Sequence, residues 1–408
     1  MQSVRSMGIS ESFGQKIRTG IVIVLALLLH SHSLSAGAVP EGVQKIRVET
    51  DFEGGNGCLI KSDVRTNSVV LAPEKKPGDT LALNLYCVLT GFDPRRELQI
   101  HLKSPAPPRG LFVREGRKVW RQIQSDRAGR YRGRFPTGRV ELATMPPYLF
   151  SDLQRWLTAQ PAREWFRIVY PGKTGQGLAL PVVLLTPKNA GKKTPLIVII
   201  ARQHAFEHAA SWVVQGMLDF LVSNTTDARA GRNKAVFAIV PMVDIDGVRL
   251  GSTGKHLGGT DMNRSWDSPV HREQGVILDW IDGLAERYPV HGVYDIHAMG
   301  YQMPSFRFGL SLFDNTRGNP DRAWRYRELS RRFRNISGYA PARLPLPGWK
   351  NLPGMFATRM LNHWPNLREA IIVECTPWRR PDGVCWNAEL IRRAGVDLAR
   401  AVCRGIYG

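Results

Sequence analysis

The stretch Arg202-Gln203-His204-Ala205-Phe206-Glu207-His208 puts two imidazoles and a carboxylate within five residues. The pattern H-x-x-E-H can hold a divalent metal in two ways. Both histidines can ligate from one helical turn, with the glutamate as base. Alternatively, His204 and Glu207 ligate from a turn and the base comes from elsewhere. A third reading is a polar helix start with no chemistry. The apolar residues that follow, Trp212, Val213, Leu218 and Leu221, have helical spacing that begins near Glu207. His204 then falls on the connection into the helix. That spacing favours the His204–Glu207 pair and leaves His208 as a helix-start residue.

Three further groups could meet this one. Asp261-Met262-Asn263-Arg264 follows two glycines. It is either a surface loop with a solvated arginine or a carboxylate clamp, in which a planar guanidinium makes two hydrogen bonds and the neighbouring amide a third. Asp295-Ile296-His297 closes the apolar run GVYDIHA. A histidine there is often a core residue, but two histidines and a carboxylate with one open position form a catalytic zinc set. Glu374 closes AIIVE, where an ionised and unpaired carboxylate costs several kcal/mol. A nearby cation or a proton-shuttling role would account for it.

These residues need elements that bring them together. From about Gln44 to Leu142 short alternating runs are separated by turn residues, as in Ser68–Ala72, Asp79–Leu89, Glu97–Leu102 and Gly129–Phe135. This predicts an all-β sandwich domain over 43–150. A helix over Ser151–Leu157 leads into a second domain, 155–408. There the runs Leu180–Pro187, Pro195–Ala201, Ala235–Val243, Gly292–Ala298 and Ala370–Thr376 read as buried strands. They alternate with helical periods at Ala209–Ser223, Val270–Tyr288, Asp321–Asn335 and Asn387–Arg404. The expectation is an α/β domain, a mixed β-sheet flanked by helices, whose ligand site lies past the C-terminal ends of its strands.

The first 38 residues differ from the rest. Lys16 and Arg18 precede the apolar run Ile21–Leu29, which is short for a membrane span, and Ala36-Gly37-Ala38 follows. This is the layout of a signal peptide, with an uncleaved anchor as the alternative. It predicts a secreted or periplasmic protein with no membrane span after signal removal. In such a compartment Cys58 with Cys87, and Cys375 with Cys385, are candidate pairs, with Cys403 left over; connectivity is not readable from sequence, and five free thiols are the alternative. The net charge of +21 favours acidic partners. Arginines crowd Arg109–Arg139 without the aromatic spacing of a base-stacking platform, so a nucleic-acid partner is not expected.

In order, His204, Glu207, Asn263, Arg264, His297 and Glu374 resemble the zinc metallocarboxypeptidases. That family carries an H-x-x-E, a D-x-N-R, a histidine after an apolar strand and a late glutamate. The chain is most similar to the cytosolic carboxypeptidase branch. Ser211-Trp212-Val213-Val214-Gln215-Gly216, the run Pro241–Val248, Phe52-Glu53-Gly54-Gly55-Asn56 and Pro147-Tyr148-Leu149-Phe150-Ser151 have counterparts there, as has the leading sandwich. The resemblance implies one Zn2+ on His204, Glu207 and His297, with Glu374 as general base. Asn263 and Arg264 would bind the carboxylate of a peptide or protein C-terminus, acidic or cell-wall-derived in keeping with the charge and export. Three departures stand out. The family's carbonyl-polarising arginine aligns with Gly254; Lys255 beside it is the candidate substitute, with Arg249 further back. The substrate-covering tyrosine has no match beyond the nearby Tyr339 and Trp349. Export makes a cytosolic substrate improbable. Two other readings stay open: an N-acyl amino acid hydrolase of the aspartoacylase type, against which the sandwich argues, and an impaired zinc site that binds anionic ligands.

Overall fold

The computed structural model describes residues 45–104, 108, 110–126, 129–255, 260–298, 310–314, 318–341, 352–364, 366–376 and 385–406. The signal-peptide segment and Trp349 lie outside the described residues. No helix among the described residues is long and apolar enough to cross a membrane.

Alternation of apolar and polar side chains builds the two N-terminal sheets. One sheet has the order β1 (Arg47–Glu49), β4 (Tyr86–Thr90), β9 (Arg139–Ala143), β6 (Gly110–Arg114), β7 (Arg121–Gln124). The other has β2 (Cys58–Asp63), β3 (Ser68–Ala72), β5 (Leu98–Leu102), β8 (Arg130–Gly133). On β5, Leu98, Ile100 and Leu102 point inward and Gln99 and His101 outward, the period-two pattern of a half-buried strand. They share a core with Val69, Leu71, Val113, Tyr131, Val140 and Leu142. The strand expected over Asp79–Leu89 is shorter, since only Tyr86–Thr90 is strand. The polar groups of the preceding residues are engaged by the loop after Leu250 instead: the Leu83 N–H donates to Thr253 Oγ1 and Asn84 Nδ2 to the Gly251 carbonyl.

The second domain is a seven-stranded sheet in the order β10 (Phe166–Val169), β11 (Val182–Leu185), β13 (Val236–Val240), β12 (Leu196–Ala201), β14 (Val290–Ala298), β16 (Glu369–Cys375), β15 (Leu310–Asp314). The four inner strands β13, β12, β14 and β16 are parallel, and β10, β11 and β15 are antiparallel to their neighbours. All of β12 is buried, as a parallel strand covered on both faces must be. The helices are α1 (Phe150–Thr158), α2 (His208–Val222), α3 (Thr226–Lys234), α4 (Ile245–Leu250), α5 (Arg272–Ala285), α6 (Pro320–Ser337), α7 (Phe356–His363) and α8 (Ala388–Gly405). Where α2 crosses α8, a Cβ on Gly216 would run into the Arg392 carbonyl and one on Gly395 into that of Val213. The two backbones meet there because neither glycine has a side chain.

Of the two cysteine readings, the structure has the unpaired one. All five cysteines are free thiols, and Cys385 turns toward Gln124 of β7.

Candidate metal centre

Parallel strands β12, β14 and β16 end on one edge of the sheet, and the chemistry collects there. After β12 the chain makes a tight turn through Arg202, which has left-handed backbone (φ 61), rare for a residue with a side chain. Its buried guanidinium holds the turn together. It donates to the Ala205 carbonyl through Nε (2.8 Å) and Nη2 (2.6 Å), to the Tyr148 carbonyl (3.2 Å) and to Ser211 Oγ (2.9 Å). Helix α2 starts at His208, so His204 and His208 do not share a helix face and the two-histidine form of the motif is excluded. Burial and the Arg202 charge hold His208 well below the usual imidazole range. Its ring is therefore neutral, and Nδ1 accepts from Arg202 Nη2 (2.8 Å) and from the Tyr148 N–H (3.1 Å). His208 secures the turn rather than a metal.

His204, Glu207 and His297 offer one donor atom each within 4.8 Å of one another, and all three are buried. Glu207 sits between the rings: Oε1 lies 2.8 Å from His204 Nδ1 and Oε2 3.0 Å from His297 Nδ1. Each ring's other nitrogen meets a carboxylate. His204 Nε2 is 2.9 Å from Asp261 Oδ1, and His297 Nε2 is 3.0 Å from Asp295 Oδ1. Asp295 and His297 are two apart on β14 and so share a face of the strand. Asp295 also accepts from Gln203 Nε2 (2.6 Å), whose Oε1 accepts from Trp266 Nε1 (2.6 Å).

The carboxylates around the two imidazoles favour positive charge in the pocket. Burial pulls His297 down, but Asp295 and Glu207 override it and raise the ring well above its ordinary range. Burial pushes Glu207 up, yet His204 and His297 take it well below the carboxylate range. Burial also opposes ionisation of Asp261, but the hydrogen bond and charge of His204, with Lys255 and Arg264, hold its carboxyl below the usual range. Several carboxylates thus converge on two imidazoles in a buried pocket. Two nitrogens, one oxygen and a carboxylate behind each imidazole fit a zinc ion and its outer shell.

Glu374 lies directly across from His297 in the β14–β16 register. Burial pushes its carboxyl up to about 8; the charges of His297 and Lys255 oppose this and those of Glu207 and Asp295 add to it. Its Oε2 is buried with no hydrogen-bond partner among the described residues. Lys255 is half-buried, and its charge reaches both Asp261 and Glu374. Arg249 instead is exposed on α4. Gly254 has φ 70, and a Cβ there would press into the Ala205 N–H and the Asp244 carboxylate, so this backbone admits no arginine.

Arg264 is half-buried and donates through Nη1 to the Asn263 carbonyl (2.7 Å). Asn263 is turned inward, with Nδ2 3.1 Å from His297 Nε2 and Oδ1 accepting from the Phe356 N–H (3.1 Å). Tyr339 stacks edge-on against Phe333 and Trp386. Sequence reasoning gave no role to Arg202, Gln203, Asp261, Asp295 and Trp266. Two of them carried a signal. Asp295 is two residues from a ligand on a strand, and Asp261 opens the D-x-N-R motif.

Comparison with known proteins bears on the family and the fold. Residues 156–289 match the family model described as zinc carboxypeptidase. Cytosolic carboxypeptidase 6 of Mus musculus is 31% identical over 183 residues, covering 42% of this chain and 34% of the relative. Cytosolic carboxypeptidase 1 of Homo sapiens is 31% identical over 188 residues, covering 41% and 15%. The chain thus spans about a third or less of the length of these curated relatives. Among solved structures, a metallo-carboxypeptidase from Burkholderia cenocepacia superposes with TM-score 0.78 at 18% identity, over 89% of this chain and 99% of that one. A metallo-carboxypeptidase from Pseudomonas aeruginosa in complex with (2-guanidinoethylmercapto)succinic acid gives 0.73 at 20% identity, over 88% and 98%. The fold is that of zinc carboxypeptidases with a leading β-sandwich. The matched segment contains His204, Glu207, Asn263 and Arg264, and Zn2+ is the ion the family's description names for a group such as His204, Glu207 and His297.

Proposed function

We propose that this chain is an exported zinc-dependent metallocarboxypeptidase that removes C-terminal residues from peptides. The observation that carries the reading is the convergence of His204, Glu207 and His297 beside a buried Glu374 with an unpartnered oxygen. Zinc on the three ligands would act as a Lewis acid and lower the pKa of water toward ~7. Glu374 takes a proton from the attacking water and passes it to the leaving amine. Lys255, whose charge already reaches the pocket, stabilises the developing oxyanion as a point charge. Arg264 binds the terminal carboxylate. Asn263 would join it only by giving up its contacts with His297 and Phe356. Export follows from the leader-like first 38 residues, and the net charge of +21 favours acidic or wall-derived peptides.

Gly254 at the arginine position supports a second reading, a zinc protein that binds anionic ligands without turnover. The two readings separate on purified, zinc-loaded protein given a C-terminal peptide library, acidic tails included, with amidated copies alongside. The expected result is release of single residues from free-carboxylate peptides only, with that preference reduced about 10-fold or more in Arg264→Ala. Stoichiometric zinc with no release from any peptide would leave the binding reading.

A further inference from the structure

The sandwich reaches into the loop that carries Lys255. After β3 the chain turns through Lys76-Pro77-Gly78-Asp79, and the Asp79 carboxylate docks on Ser252-Thr253-Gly254 of the catalytic domain. Asp79 Oδ1 accepts from Ser252 Oγ (2.6 Å) and the Gly254 N–H (3.1 Å), and Oδ2 from the Thr253 N–H (2.8 Å). The Lys76 N–H (3.2 Å) fixes the carboxylate within its own loop. Successive N–H groups beside a left-handed glycine form an anion-binding concavity, and here the anion is supplied by another domain. Further bonds tie down the same loop. Asn56 Nδ2 (2.8 Å) and Asn84 Nδ2 (3.1 Å) both donate to the Gly251 carbonyl, and the Gly54 N–H donates to that of Arg249 (2.9 Å).

Lys255 is the next residue along. Its backbone leaves a segment anchored from the sandwich side, while Gly254 keeps the Ala205 and Asp244 side open to close approach. A flexible four-carbon ammonium is a poor oxyanion donor unless its root is fixed. We propose that Asp79 is a positioning residue: by clamping Ser252–Gly254 it aims Lys255 at the carbonyl oxygen of the scissile bond, which makes the sandwich part of the catalytic apparatus. This rests on the oxyanion role given to Lys255.

The test compares Asp79→Ala, Asp79→Glu, Lys255→Ala and the double variant Asp79→Ala/Lys255→Ala in the zinc-loaded, full mature chain. For each, kcat, KM, zinc content and melting temperature are measured on a peptide the wild type cleaves. Loss of Lys255 is expected to lower kcat about 100-fold. Asp79→Ala should lower it about 10-fold or more, with KM within about threefold and zinc stoichiometric. The double variant should be no slower than Lys255→Ala alone, because the clamp acts only through Lys255, and Asp79→Glu should recover part of kcat. Multiplying effects in the double variant, or an unchanged kcat in Asp79→Ala, would overturn the inference while leaving Lys255 in place. An unchanged kcat in Lys255→Ala would overturn the oxyanion role itself, and the clamp with it. Should Asp79→Ala not fold, Ser252→Ala removes one of the three donors. It should lower kcat about threefold in the wild type and not at all in Lys255→Ala.

Discussion

Glu374 is where the hydrolytic reading is most exposed to disproof. A glutamate closing an apolar strand had no business there unless something cationic stood near it, and β14 brings His297 directly opposite. It is not one of the three donors, so removing its charge should spare the metal. Glu374→Gln is expected to lower kcat by about 10²–10⁴-fold, the usual share of a general base, with zinc content unchanged by metal analysis. Full turnover with zinc still bound would put the base elsewhere. His204, Glu207, His297 and Glu374 were legible because each sits just past or at the end of a predicted strand, and strand ends are where this sheet type builds sites. Asp79 was not. Its partners Ser252, Thr253 and Gly254 lie 173 to 175 residues away, and no local pattern marks such a contact.

At the level of elements, periodicity located the strands β3, β5, β8, β11, β12, β13, β14 and β16 and the helices α1, α2, α5, α6 and α8 to within a few residues. It missed the short helices α3, α4 and α7, which are set by caps and packing rather than by a long apolar stripe. Helix α4 shows why. Asp244-Ile245-Asp246-Gly247 reads as a turn, yet Asp244 Oδ1 accepts the Gly247 N–H (2.8 Å) and caps a helix. That cap has a pH signature. Burial pushes the Asp244 carboxyl up to about 7; the Gly247 N–H and Arg202 oppose this, and Glu273 and Asp246 add to it. The folded state therefore keeps this proton up to about 7, while the unfolded chain releases it near ~4. The group's contribution is fully present below ~4 and is lost as pH rises through about 7. Asp244→Asn keeps an acceptor for Gly247 and never ionises. It should be more stable than wild type by ~1–2 kcal/mol at pH 8, with the gain shrinking toward pH 5 in urea unfolding curves. A gain that did not change with pH would mean that Asp244 is ionised in the native protein throughout.

Over the whole molecule, residues 43–408 form one compact unit although the sequence reads as two domains. The composition shift near residue 150 located the change of architecture, but it could not reveal that the two parts share a polar seam. Asn56 and Asn84 from the sandwich both donate to the carbonyl of Gly251, and the residues behind that carbonyl lead to Lys255. A seam of this kind would couple the sandwich to a metal bound at the site. Zinc held by His204, Glu207 and His297 would bind only where those residues are folded together, so at 1,000 times its dissociation constant it would add about 4 kcal/mol to the stability of whatever unfolds with them. If the seam holds, the sandwich shares that gain. In hydrogen exchange read by mass spectrometry, peptides from β5 and β9, far from the ligands, should slow on zinc addition together with peptides from β12 and β14. In Asn56→Ala/Asn84→Ala the buried Gly251 carbonyl loses both side-chain donors, which is expensive for a buried polar group. Zinc should then protect β12 and β14 while β5 and β9 exchange at their metal-free rate. Protection confined to β12 and β14 in the wild type would show that the two domains open independently and that the seam transmits nothing.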